Sequence, residues 1–553
     1  QMKNVTINGG ELTAGGKTGK QATEKFLNYS NIYALNGEMN VGGTAVVNLN
    51  PASGLKGNNV TITGGTINFN GTSEASNTGE SGAYVRAGDS VKDGVLTVAG
   101  GKLVVAAQKF GNATGTNIKI TGGEVDVKGT FTLGKDFKGS NESTISVTGG
   151  KVSVAKDGTL GLDGNASFAD GTLANAGTVD FKIAEGGTRS FTIGQKDFAN
   201  LLKGDGAKVN VSGASSSSDK KETFNFIVDG DADLVAAGVV NAADVAATSK
   251  FVIDASVENS SLTAKNVTIG AGTYGATKTL TVDSLTAGNE GAFAIKSGST
   301  VEVAKGLTVT PKGETKDLTV NGTLNLDGTG GNVAANITLA SADSSSPKLN
   351  VNKGVWNLQD LRLTSGAAVV DGEGTKVNIA GTLTTTQTNG TLAIKNNALV
   401  NASEGVLNLA EATVALTGGS TLVLDGNDVF KIAGGSVSLT DGQGDNKSKY
   451  VQGAVTTDST SVLQLKYTGD LSLANIESIK TAIDKSSGLA GFIKFEGANI
   501  TDKPTGDVAI DAVKPGVDGI YNDVTVTVGK GGAVNQTFTA GQIKLTDAAD
   551  SKA

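Results

Sequence analysis

Three acidic residues at alternating positions, Asp229, Asp231 and Asp233 in "DGDADL", are the best-spaced cation ligands in this chain. Alternate carboxylates of a tight turn converge on one ion, which is how a calcium loop begins. The twelfth position of an EF-hand loop needs a bidentate Glu, and here it is Val240. A solvated acidic turn is the preferred reading, with the three Asp kept as weak calcium candidates and no other cofactor expected. "AGDSV", Ala87–Val91, superficially resembles a serine-protease nucleophile at Ser90, but the chain holds no His, so no Ser-His-Asp triad can form. It also holds no Cys, which removes thiol chemistry, structural zinc and disulfides. Paired carboxylates can cleave glycosides without His, yet the 54 Asp and Glu are scattered and no pair stands out. Trp356 is the sole Trp, set in "VWNLQDLRL" beside Val355, Leu358, Leu361 and Leu363. That setting predicts a Trp packed in a seam and not a platform for sugar. No Rossmann or Walker loop is present, because the Gly pairs sit between strands. Enzymatic activity is not expected.

The elements that would position such residues follow from the pattern of aliphatics. The chain has 79 Gly in 553 residues, about twice the usual 7%, and only five Pro. Around Gly64-Gly65 the residues four and two before, then three and five after, are Val60, Ile62, Ile67 and Phe69. The same marks give Leu96, Val98, Leu103 and Val105 around Gly100-Gly101, and Ile118, Ile120, Val125 and Val127 around Gly122-Gly123. Gly149-Gly150 gives Ile145, Val147, Val152 and Val154, and Gly434-Gly435 gives Phe430, Ile432, Val437 and Leu439. Gly9-Gly10 matches with Val5, Ile7 and Leu12, and Gly418-Gly419 matches with a one-residue slip. Alternation on both sides means two strands, each with one buried face, and the Gly pair supplies backbone conformations that side chains penalise.

Two folds satisfy this grammar. A two-residue hairpin would place the residue two before the pair opposite the residue three after it. In a right-handed parallel β-helix the pair would mark a corner, and inward residues of successive coils would stack in columns. The coil is favoured for three reasons. Marks at 100, 122 and 149 are 22 and 27 residues apart, the range of one solenoid rung. The inward residues are almost all medium-sized aliphatics, as a narrow tube requires. The pattern also runs on without a domain-like break. The fold expected is all-β, a right-handed parallel β-helix with a few short helical or loop insertions. Some 20 coils at ~4.8 Å each would make a rod on the order of 100 Å long.

Four stretches interrupt the strands. Thr18–Gly37 is aromatic for this chain, and Gly194–Gly204 reads as a short amphipathic helix using Phe198, Leu201 and Leu202. Asp231–Lys250 is Ala-rich and predicts one or two helical turns; Leu473–Gly488 carries Ile476, Ile479 and Ile483 on one helical face. The organisation expected is a β-helix over 1–215, with a loop near 18–37 and a helix near 195–203, then an irregular or helical insertion over 216–250. β-Helix resumes over 251–472, followed by a helical insertion over 473–488 and a β segment over 489–553.

A net charge of −8 with no clustered Lys or Arg argues against nucleic acid. No run approaches the ~18 apolar residues of a membrane helix. "QMKNVTINGG" lacks a signal-peptide layout and begins inside the alternation, so the chain is read as a processed or truncated piece. With the Gly-pair corners, units such as "LTVNGTLNL" at Leu318–Leu326 and no Cys, the chain resembles the passenger region of a bacterial autotransporter. It is also similar to other large repetitive adhesins of Gram-negative bacteria. The resemblance implies a β-helical protein at the bacterial cell surface, exported unfolded and folding outside the outer membrane. The function expected is non-enzymatic, structural or adhesive: loops held on a stiff scaffold touch host or neighbouring-cell surface molecules. The alternative is a self-assembling surface-layer or filament subunit, and a glycan-active enzyme is the third reading.

Overall fold

The structure, a computed structural model, describes residues 3–425 except 16–29, 35–36, 73–82, 89–93, 135–142, 215–220, 243–246, 289–291, 310–315, 342–345, 386–389, 403–406 and 410–412, together with the strands between 429 and 545. The chain divides into two compact units, Gln1–Ile269 with Ala276–Thr281, and Gly270–Gly275 with Val282–Ala553. It is nearly all β, and each unit is built as a parallel β-helix. Among the described residues no helix is long and apolar enough to cross a membrane.

In the first unit each coil crosses three sheets. A parallel pair cannot be closed by a tight turn, so the chain reaches its next partner by travelling through the other two faces. On the first sheet Val5, Met39, Val60, Leu96, Ile118, Ile145, Ala166, Phe191, Phe226 and Leu262 form one register column. All ten are buried. The second sheet stacks Val47, Ile67, Leu103, Val125, Val152 and Leu173 in the same way. On the third sheet the column runs Leu55, Val85, Ala113, Leu133, Leu162, Phe181 and Val211. Each large aliphatic so buried is worth about 1.5–3 kcal/mol relative to exposure, and its neighbours come from the coils on either side.

The Gly pairs are the corners between the first and second sheets, and the two glycines serve different ends. At the second, φ is positive: +74° at Gly123 and +70° at Gly101. At the first, the close approach of the preceding coil excludes a side chain. A Cβ on Gly122 would lie 2.3 Å from the carbonyl oxygen of Ala99.

Outward positions carry amide ladders. The Asn68 side chain donates to Asn48 Oδ1 at 2.8 Å, and Asn48 donates to Glu11 Oε1 at 2.8 Å. In the second unit Asn378 donates to Asn357 at 2.7 Å and Asn357 to Asn332 at 2.9 Å. Identical side chains one strand apart meet at the spacing of the backbone bonds beneath them.

The short helix near 195–203 is present but shorter than expected. It spans Gln195–Phe198 and gives way to turns, with Phe198, Leu201 and Leu202 buried. It stands where the second sheet would continue after Leu173–Asn175. Asp197 replaces the missing strand's acceptors: its carboxylate takes the N–H of Gly171 at 3.0 Å and of Leu173 at 2.8 Å. Phenylalanines fill the core at this level. Phe191 stacks on Phe226 at 5.4 Å between ring centres, and Phe226 on Phe251 at 5.5 Å.

Several expected insertions are corrected. Ser30–Tyr33, assigned to a loop, is a third-sheet strand with Ile32 opposite Leu55. Thr223–Asp229, inside the expected insertion over 216–250, is a coil strand paired with Thr188–Gly194, because its Phe224, Phe226 and Val228 continue the inward alternation. Among the described residues of 231–250 there is no helix; Ala232–Asp233 pairs with Val267–Thr268, and a turn follows. Helix propensity of the Ala-rich run yields there to an open strand edge that needs partners and to burial of Leu234, Ala237 and Val239. The helix expected over 473–488 lies outside the described residues.

The second unit repeats the three-sheet plan. Val301, Leu324, Leu349, Ala368, Leu392 and Val414 form one column. Gly418 and Gly419, the slipped copy, both have positive φ and join strands of two sheets, Thr413–Leu416 and Thr421–Asp425. The Gly434-Gly435 copy departs from the coil. Val429–Ala433 and Ser436–Thr440 pair antiparallel with each other, and Ser436–Thr440 pairs antiparallel with Val451–Thr457. The expected β segment over 489–553 includes two long antiparallel strands, Gly519–Lys530 and Ala533–Leu545.

Candidate functional site

The acidic row is not gathered around a common point. Asp229 ends its strand, and Asp229, Asp231 and Asp233 are all exposed. Asp231 Oδ1 accepts from the Asn266 amide at 2.8 Å, while Asp233 Oδ1 accepts from the Ala236 N–H at 2.8 Å, closing the turn. Among the described residues no three acidic side chains are grouped to hold a metal. Ser90 lies outside the described residues. Trp356 is fully buried, in a column between Gly331 and Val377, and its Nε1 donates to the Lys353 carbonyl at 2.8 Å. Gly331 is held free of a side chain by the Lys305 backbone pressed against it, and the buried Trp356 ring cannot stack on a sugar.

Charged groups act locally as ties between coils. Lys102 meets Glu124 at 3.1 Å and Asp126 at 3.6 Å, and the Glu124 hydrogen bond raises the lysine's pKa against the opposing effect of burial. Lys221 meets Glu258 at 2.6 Å. Hydrogen bonding from Lys221 lowers the Glu258 pKa and the same bond raises that of Lys221. Arg189, nearly buried, reaches Asp163 at 3.2 Å. All are structural pairings.

One concave polar surface is present on the outer side of the first unit's third sheet. Its central column, in register, is Asn112, Thr132, Gly161 and Asp180. Gly161 contributes no side chain, so a shallow groove opens there. Phe110, Thr130 and Thr159 line one flank, and Asp163 and Lys182 the other part of the rim. Strand alternation places these residues outward while Phe131, Leu160, Leu162 and Phe181 point into the core.

No family model, curated protein or solved structure matches this chain. Its chemistry is therefore read from its own surfaces. Sequence reasoning did not find the groove: its signal is a glycine at an outward position in "TLGLDG". Only the register between coils brings Thr132 and Asp180 to either side of it.

Proposed function

We propose that this chain is a non-enzymatic structural or adhesive protein of a bacterial cell surface. Its coils serve as a scaffold, and excursions from the corners make low-affinity contacts with host or neighbouring-cell molecules that add up by multivalency. The observation that carries the reading is the set of aliphatic columns stacked coil on coil within each unit. A construction that spends nearly every alternate residue on contacts between adjacent coils is suited to holding loops at fixed spacing. The lack of His and Cys supports it, because the commonest general base and the thiol nucleophile are missing from the whole sequence.

The test is display of the chain on a non-adherent bacterium. Adherence to epithelial cells or mutual clumping of the displaying bacteria, abolished by protease shaving, is the expected outcome. Displaying bacteria that neither adhere nor clump would overturn the reading, and release of sugar fragments from a polysaccharide panel would replace it with a glycan-active enzyme.

A self-assembling subunit is the second reading, favoured by one surface. The outer face of the first sheet presents Thr61, Thr97, Lys119, Ser146, Ser167 and Thr192 in one column. One charge in six leaves little repulsion against a second copy. Electron microscopy of purified chain separates the two: single particles support the scaffold, ordered fibres or lattices the subunit.

A further inference from the structure

We propose that the groove over Gly161 is a saccharide subsite that takes one ring of a neutral hexose or N-acetylhexosamine glycan. This inference rests on the adhesive reading above and names the class of molecule contacted.

The glycine itself is the first argument. Gly122 is required by an approaching backbone, and Gly123 by a positive φ. Neither reason holds at Gly161. Its φ lies outside the left-handed region, and the three atoms nearest a Cβ there all belong to the Thr132 side chain, Oγ1 first at 3.1 Å. A small rotation of Thr132 would admit alanine. Glycine inside a strand weakens it and marks sites where another molecule comes close to the backbone. Among the described residues no segment of this chain fills that space, and the glycine leaves the groove open there.

The lining chooses the ligand. Asn112, Thr130, Thr132 and Thr159 both donate and accept hydrogen bonds, Asp163 and Asp180 accept, and Lys182 donates. Half-buried Phe110 offers an apolar edge for sugar C–H groups. Thr132 and Asp180 stand one coil before and one after Gly161, two strand steps or about 10 Å apart, which admits a single ring. An extended peptide is a poor fit, because the floor's backbone groups are already paired with the strands on both sides. With Asp163 already paired to Arg189, Asp180 and Lys182 balance each other, so the groove holds no excess positive charge to draw a polyanion. A hydroxyl-rich neutral ligand with one apolar face matches the chemistry of this lining.

The experiment uses the full chain on a printed array of neutral hexose and N-acetylhexosamine oligosaccharides, followed by titration of the strongest-binding array oligosaccharide. Gly161→Gln fills the groove and is expected to weaken binding at least tenfold, with the circular dichroism and melting transition of the parent. Asp180→Asn is expected to weaken it severalfold. Absence of binding to every array member overturns the inference, as does a folded Gly161→Gln chain that binds as the parent does. If Gly161→Gln fails to fold, unchanged binding by Asp180→Asn overturns it and weakened binding supports it. Bacteria that adhere equally with parent and groove variants would sink the subsite and leave the adhesive reading standing. Non-adherent bacteria whose purified chain still binds sugar through Gly161 would do the reverse.

Discussion

Around Gly100-Gly101 and around Gly434-Gly435 the chain carries the same pattern of aliphatics and folds it in two ways. In the first, Val95–Val105 turns a corner, and its halves pair with different strands of the next coil: Leu96 with Ile118 and Leu103 with Val125. In the second, the flanking strands turn back on each other, so that Ile432 lies opposite Val437. That stretch falls where the third strand of its coil would come, between Thr421–Asp425 and Val451–Thr457. The strands on either side keep the parallel plan, with Thr413–Leu416 paired to Val451–Thr457 and Thr421–Asp425 to Val462–Lys466. Alternation around a Gly pair therefore specifies two strands and a sharp change of direction. Whether they pair with each other or with the next coil depends on which partner edge is within reach.

The sharpest way to break this contrast is cross-linking, since the chain has no Cys background. Lys431→Cys with Ser438→Cys should oxidise to a disulfide, because the two positions are register partners. The equivalent coil pair, Thr97→Cys with Val104→Cys, should stay reduced, while Thr97→Cys with Lys119→Cys should close. Non-reducing mass mapping reads all three, and a closed Thr97–Val104 pair would refute the corner. Next in size is the core of the coil. Phe226→Ala removes a ring stacked on both Phe191 and Phe251 and should cost about 3–5 kcal/mol in denaturant melts. A smaller loss, about 1–3 kcal/mol, is expected for Gly122→Ala, whose Cβ would press on the Ala99 carbonyl. Gly161→Ala, with only a side chain to displace, should come within a few tenths of a kcal/mol of the parent.

The smallest effect concerns charge. The Glu258 carboxyl, held below its ordinary range by Lys221, binds its proton less readily folded than unfolded. Its stabilising contribution is present above the unfolded carboxyl pKa of about 4.3 and is lost as pH falls through the lower folded value. Glu258→Gln should remove that slope and otherwise leave the melting temperature almost unchanged, as measured by melts across the acid range. A large change would mean that surface pairing, and not the columns, carries the coil.

Much of the architecture is legible in the residues themselves. Val60, Ile62, Ile67 and Phe69 are inward as their alternation requires, and Gly64-Gly65 lies at a corner between two sheets. Phe198, Leu201 and Leu202 are buried as the amphipathic pattern implies. In the described part of Asp231–Lys250 the expected helical turns are replaced by a strand and a turn, because helix propensity is a local quantity and does not register the strand edge next to it that offers backbone partners. The Gly161 groove was illegible for a related reason. Thr132 and Asp180 are far apart along the chain, and nothing in either segment announces the other.

What residues 1–553 dictate unaided is strand length, the face each side chain turns to the core, and the rule that each apolar face must find another. These follow from the two-residue repeat of extended backbone and the cost of leaving aliphatics in water. Which strand pairs with which, parallel around a coil or antiparallel in a hairpin, was settled by the assembled molecule alone. Backbone hydrogen bonds are alike for every partner, so the choice falls to whichever neighbouring edge and column can bury the most surface together.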